Sequence, residues 1–141
     1  MDSTNKETKK YTSFTPEEIK EYIVNIRKLI IEGKYTISKN QNRKENVDFI
    51  ENYKIDSKKE KGILLNLEYD DFCYAVDNEK EEFAHEKLYI FCKECELDSW
   101  GELELVEVYI KINISETRKG NEFMIVVSFH KRNKPIKYLF K

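Results

Sequence analysis

Apolar residues recur along this chain with two different periods, and the change falls near residue 67. Residues 1–14 are polar and without period, which predicts a disordered tail. At Thr15-Pro16-Glu17-Glu18 a helix start is written: Thr15 can cap, Pro16 suits the first turn, and Glu18 completes a capping box. Ile19, Ile23, Ile26 and Ile30 follow at helical spacing, with Tyr22 and Leu29 beside them, and Gly33 ends the helix. Tyr35 to Ser38 reads as a short extended piece, and Lys39 to Arg43 as a polar connector. Residues 44–53 predict a second helix with Val47, Ile50 and Tyr53 on one stripe. Asp56-Ser57 caps a third, with Ile63, Leu64 and Leu67 inward and Gly62 weakening it.

Beyond Leu67 the period becomes that of strands. Phe72 to Val76 is β-like, and a charged loop runs from Asp77 to Lys87. Three β-rich runs follow, Leu88–Leu97, Leu103–Ile114 and Phe123–His130, joined by short turn-rich connections. A last short piece, Ile136 to Phe140, comes after Pro135. The expectation is an α+β fold: N-terminal helices packed on one face of a twisted antiparallel β-meander, in a single domain over 15–141.

Composition narrows the classes. A chain of 141 residues suits one core, and its 18 aromatics (9 Tyr, 8 Phe, 1 Trp) can cover much of that core. No apolar run approaches the ~20 residues of a membrane span, and no signal region stands behind the N-terminal charges. Three cysteines are too few for a disulfide scaffold. The expected location is the cytoplasm, with no membrane contact. The net charge of −2 hides an uneven spread. Residues 1–67 carry 14 Lys/Arg against 11 Asp/Glu, residues 68–108 carry 3 against 14, and residues 111–141 carry 8 against 2. The basic C-terminal block can attract a polyanion, and the acidic middle would repel one.

The strand faces locate candidate chemistry. Val108, Ile110, Ile112 and Ile114 alternate with Tyr109 and Lys111, which stand ~7 Å apart along the strand. On the next strand Ile125, Val127 and Phe129 share one face, and Met124, Val126, Ser128 and His130 the other. Packing of the apolar faces on the helices would bring Tyr109, Lys111, Ser128 and His130 together, with Lys131, Arg132 and Lys134 leaving the strand end. An imidazole, a phenol and several cations suit phosphodiester transfer in RNA. His can move protons near neutrality, Lys and Arg stabilise developing charge, and Tyr donates a hydrogen bond or stacks on a base. That chemistry needs no metal or cofactor. A Tyr-x-Lys alternation is also an ordinary outward strand face.

The segment Glu107-Val108-Tyr109-Ile110-Lys111-Ile112-Asn113-Ile114, followed by Ile125-Val126-Val127-Ser128-Phe129-His130, resembles the C-terminal half of the MqsR-like toxins. These are mRNA interferases of RelE-like fold from bacterial type II toxin–antitoxin pairs. Ile26 to Tyr35 is similar to the family's first helix and its exit, and Leu67 to Tyr74 to the segment that opens its sheet. The resemblance runs in order over residues 16–138. It implies a metal-independent endoribonuclease that uses the 2′-hydroxyl as nucleophile. It further implies mRNA as substrate, a cognate antitoxin as partner, and the ribosome as a candidate platform. Tyr109 falls on a tyrosine implicated in the family's activity, and Lys111 on the lysine two residues later. His130 falls where better-known members have a functional lysine. Tyr74 replaces another lysine, and the family's middle-strand Gln has no clear counterpart, with Ile90 or Phe91 in that region. The implied set is therefore His130, Tyr109 and Lys111 for catalysis, and Lys131, Arg132, Lys134 and Tyr74 for RNA. The alternative is a non-catalytic RNA- or protein-binding module of the same fold.

Cys92-x-x-Cys95, with Cys73 and His85, has the residue types of a zinc site. A separation of three on a strand puts the two thiols on opposite faces, so only a bulge could converge them. The carboxylates of Asp70, Asp71, Glu79, Glu81 and Glu82 are enough for Mg²⁺, but no spacing among them fixes a geometry. No metal site is expected.

Overall fold

Helix α1 spans Pro16–Ile31 in the computed structural model, which describes residues 9–40, 43–83 and 85–141. Its start is the expected capping box: Glu18 N–H donates to Thr15 Oγ1 at 3.2 Å, and Thr15 N–H to Glu18 Oε1 at 2.8 Å. Ile19, Ile23, Ile26, Leu29 and Ile30 are buried on one stripe. At its end Gly33 takes φ +72°, a left-handed turn that a side chain would strain, and Lys34 N–H closes on Leu29 O at 2.8 Å.

Strand β1 (Tyr35–Ile37) follows, then α2 (Lys44–Asn52) and α3 (Ser57–Leu65). Asp56 caps α3 by accepting from Lys59 N–H at 2.8 Å. The buried face of α2 is Asn46 and Phe49, with Tyr53 beyond. Of the expected stripe, Ile50 and Tyr53 pack against the core, but Val47 does not; Asn46 and Phe49 are the most buried positions, because a buried asparagine does not register as an inward residue. Strands β2 (Phe72–Asp77), β3 (Lys87–Ser99), β4 (Glu102–Glu116) and β5 (Glu122–Lys131) complete the fold.

The fold is α+β, with three helices and five strands among the described residues. The sheet order is β1-β5-β4-β3-β2. Strands β2 to β5 pair antiparallel with their chain neighbours, but β1 joins β5 in parallel, Tyr35 opposite Met124 and Ile37 opposite Val126. The sheet is therefore mixed, a correction to the all-antiparallel expectation. Alternation in a three-residue strand marks extended backbone and says nothing of its partner.

The helices cover one face of this sheet. Ile110, Ile112, Met124, Val126 and Phe129, all fully buried, lie in the core under α1 and α2, and α3 packs on α1. Tyr22 of α1 stacks on Tyr89 with ring centroids 3.8 Å apart. The opposite face carries a smaller apolar cluster, Cys73, Val76, Leu88, Ile90 and Cys92, against which Ile136 and Tyr138 pack. The C-terminal segment crosses to β2, where Leu139 N–H donates to Phe72 O at 3.0 Å. Residues 1–8 of the expected tail lie outside the described residues, as do 41–42 of the connector and 84 of the charged loop. The rest of that tail is not loose. Tyr11 exchanges both backbone hydrogen bonds with Ala75, at 2.8 and 3.0 Å, and Phe14 meets Phe72 edge-on at 5.3 Å. Two aromatics in a polar stretch anchor it.

Candidate nucleic-acid interface

The face of the sheet away from the helices is the floor of a groove of about 1100 Å³. Tyr109 and Lys111 of β4, Tyr74 of β2 and Ile125 and Val127 of β5 form the floor. The walls come from four irregular segments and each supplies a cation: Lys10 before β2's partner Tyr11, Arg43 at the start of α2, Lys80 after β2, and Lys134 after β5. Asp77 and Glu79 line the same wall as Lys80.

A bulge in β5 decides what faces this groove. Lys111 lies opposite Ser128 and Ile112 opposite Val126, so Val127 has no partner on β4. Alternation changes phase there. Met124, Val126 and Phe129 go to the helix side, while Ile125 and Val127 line the groove. This corrects the expected grouping of Ile125 and Val127 with Phe129. His130 still reaches the expected face, where its ring stacks on Tyr109 at 5.3 Å and 21°.

The bulge is held by Asn46. Its amide donates to Ser38 O at 2.9 Å and Val127 O at 3.0 Å, and its carbonyl accepts from Phe129 N–H at 2.8 Å. Strand β1 has ended at Ile37, so this fully buried side chain continues the hydrogen bonding of the β5 edge. Asn46 stands three residues after Arg43, in the first turn of α2.

Burial shapes the electrostatics. The Lys111 ammonium is held below the usual lysine range, first by desolvation and then by the like charge of Arg43, with Glu79 opposing. The Tyr109 phenol is pushed well up by burial and by neighbouring Tyr74, whose own phenol is raised by burial. Both phenols are thus neutral donors over the physiological range. Lys10 Nζ lies 4.7 Å from the Tyr74 ring centroid. Among the described residues, Lys10, Arg43, Lys111 and Lys134 form no ion pair with a carboxylate.

The sequence-predicted residues divide. Tyr109, Lys111, Tyr74 and Lys134 meet in the groove. His130 is not part of the groove's lining: it stacks on Tyr109 from a neighbouring cavity that it shares with Glu45, Tyr53 and Lys131, with Nδ1 2.9 Å from Lys131 O and 4.0 Å from Glu45 Oε2. Lys131 and Arg132 are outside it. Lys131 pairs with Glu104 at 3.2 Å, and Arg132 reaches Glu107 through Nε at 3.0 Å and Nη2 at 2.7 Å. Sequence reasoning missed Arg43, Lys10 and Lys80, which sit in stretches read as connector, tail and loop. Only their positive charge could have marked them. Cys92 is buried on the groove side and Cys95 on the helix side, because β3 and β4 pair without interruption between them. Burial raises the Cys73 thiol to about 12, that of an unreactive thiol.

Comparison of the chain with protein-family models, curated proteins and solved structures finds no match. No described helix is long and apolar enough to cross a membrane.

Proposed function

We propose that this protein is a metal-independent endoribonuclease of RelE-like fold, the toxin of a type II toxin–antitoxin pair acting on mRNA in the cytoplasm. The observation that supports this reading most is the groove itself: cations from separate segments, without carboxylate partners among the described residues, around two half-buried phenols. Phosphates are matched by Lys10, Arg43, Lys111 and Lys134, and bases by the rings of Tyr74 and Tyr109. Lys131 O can only accept, so His130 Nδ1 is the donor of that bond, and in the neutral ring Nε2 carries the lone pair. In the reaction Nε2 takes the 2′-hydroxyl proton, and the 2′-oxygen forms its bond to phosphorus. The bond to the 5′-oxygen breaks, and that oxygen receives a proton from the Lys111 ammonium. The products are a 2′,3′-cyclic phosphate and a 5′-hydroxyl. A cognate antitoxin would cover the basic groove with acidic groups, and the ribosome is a candidate platform.

A second reading, a non-catalytic RNA- or protein-binding module, is favoured by the setting of His130. Its side chain is only 13% exposed, stacks on Tyr109, and opens to a neighbouring cavity rather than to the groove. Induced expression in bacteria separates the two. The toxin reading expects growth arrest and falling mRNA levels. Normal growth with abundant soluble protein and no antitoxin rejects it and leaves the module.

A further inference from the structure

We propose that Arg43 and Lys111 form a phosphate subsite within the groove, a pair that takes one phosphate group of the bound polyanion. The proposal rests on the nucleic-acid reading of the groove and assigns a residue, Arg43, that the sequence did not point to.

Three observations converge on the pair. Both side chains line one groove, Lys111 from the floor and Arg43 from the wall. Neither forms an ion pair among the described residues, although the loop carrying Glu79 borders the same groove. Both are also fixed to one rigid joint. Asn46, one turn into α2 from Arg43, bonds Val127 and Phe129 on either side of Ser128, and Ser128 lies opposite Lys111. The backbones that carry the two cations are therefore held together by one joint before any ligand arrives.

Two like charges in a partly desolvated site repel, and the depressed Lys111 ammonium registers Arg43 in that way. A phosphate between them reverses the sign of the interaction for both. The chemistry of the two residues is complementary: the planar guanidinium can engage two phosphate oxygens at once, and the ammonium acts as a compact point charge. Glu79 competes weakly for Lys111 from the wall, so its removal should favour the anion.

Pyrophosphate, titrated calorimetrically at low salt into the full chain, is the probe. Arg43→Ala and Lys111→Met should each weaken binding about 10-fold, the scale of one lost contact between charges. Arg43→Lys should recover part of that loss, and Glu79→Gln should tighten binding about 3-fold. Lys28→Met, an exposed cation on α1, should leave it unchanged. Melting curves check that each variant is folded. Affinity within about twofold of wild type in both Arg43→Ala and Lys111→Met overturns the subsite, as does an equal loss in Lys28→Met. The outcome is separable from the cleavage reading. Pyrophosphate binding that follows the pair without any RNA cleavage keeps the subsite and removes the enzyme. Cleavage with pyrophosphate binding indifferent to the pair does the reverse.

Discussion

Asn46→Ala removes the joint on which the groove is built. The side chain is fully buried and makes three hydrogen bonds, to Ser38 O, Val127 O and Phe129 N–H. Alanine leaves the Phe129 N–H buried without an acceptor, at a cost of about 1–3 kcal/mol. The two carbonyls lose a donor as well, but each oxygen has a second lone pair and contributes less. The total is about 3 kcal/mol, a large share of the ~5–15 kcal/mol of a small domain. A loss of that size lowers Tm by roughly 6–12 °C at this chain length. Asn46→Asp adds a signature. Its carboxylate would face two carbonyl oxygens, so its folded pKa lies above its unfolded one. The native state then binds more protons, and stability falls as pH rises from the unfolded value through the folded one. Relative to wild type, Asn46→Asp should be less destabilised at pH 4 than at pH 7. Urea unfolding followed by far-ultraviolet circular dichroism measures both. Trp100, 75% exposed at a hairpin tip, is a poor fluorescent reporter. A cost under about 1 kcal/mol for Asn46→Ala, or no pH dependence for Asn46→Asp, would refute the role given to this residue.

His130→Ala should cut RNA cleavage about 10²–10⁴-fold if its imidazole moves the proton, and single-turnover kinetics on labelled RNA reads this. It should cost about 1 kcal/mol of stability through the lost stack on Tyr109. With Lys111 as the acid, the rate should fall on the alkaline side at a pH below the ordinary lysine range, since burial and Arg43 hold that ammonium down. An alkaline limb that survives Lys111→Met would assign it elsewhere. The Asp77 carboxyl lies below its usual value through hydrogen bonds from Lys87 and Tyr11. Its stabilising contribution is complete above the unfolded pKa of about 3.9 and is lost as pH falls through the folded one. Exchange of the Tyr11 amide, bonded to Ala75 O, should accelerate relative to other strand amides in that acid range.

Much of the fold was legible because local rules agreed with one another. The capping box at Thr15, the isoleucine stripe of α1 and the Asp56 cap each stood in the sequence and in the structure. What escaped was decided by groups far apart in the chain. The pairing of β1 with β5 joins residues about ninety positions apart, and nothing in Tyr35-Thr36-Ile37 names its partner. The bulge at Val127 depends on Asn46, which reads as polar surface until its three partners are known. The Tyr109 and Lys111 face was readable because β4 alternates without interruption up to the bulge. Lys131 and Arg132 looked like phosphate ligands from charge alone. Glu104 and Glu107, on the neighbouring strand, take them as ion-pair partners.

In the proposed reaction the groove would align a 2′-hydroxyl for attack using only side chains. A 5′-labelled single-stranded RNA incubated with the purified chain in excess EDTA tests it, with the fragment ends identified by mass spectrometry. Cleavage that persists in chelator, leaves 2′,3′-cyclic phosphate and 5′-hydroxyl ends, and fades in Lys111→Met is the predicted result. Cleavage abolished by EDTA and restored by Mg²⁺, or fragments ending in 3′-hydroxyl and 5′-phosphate, would contradict it.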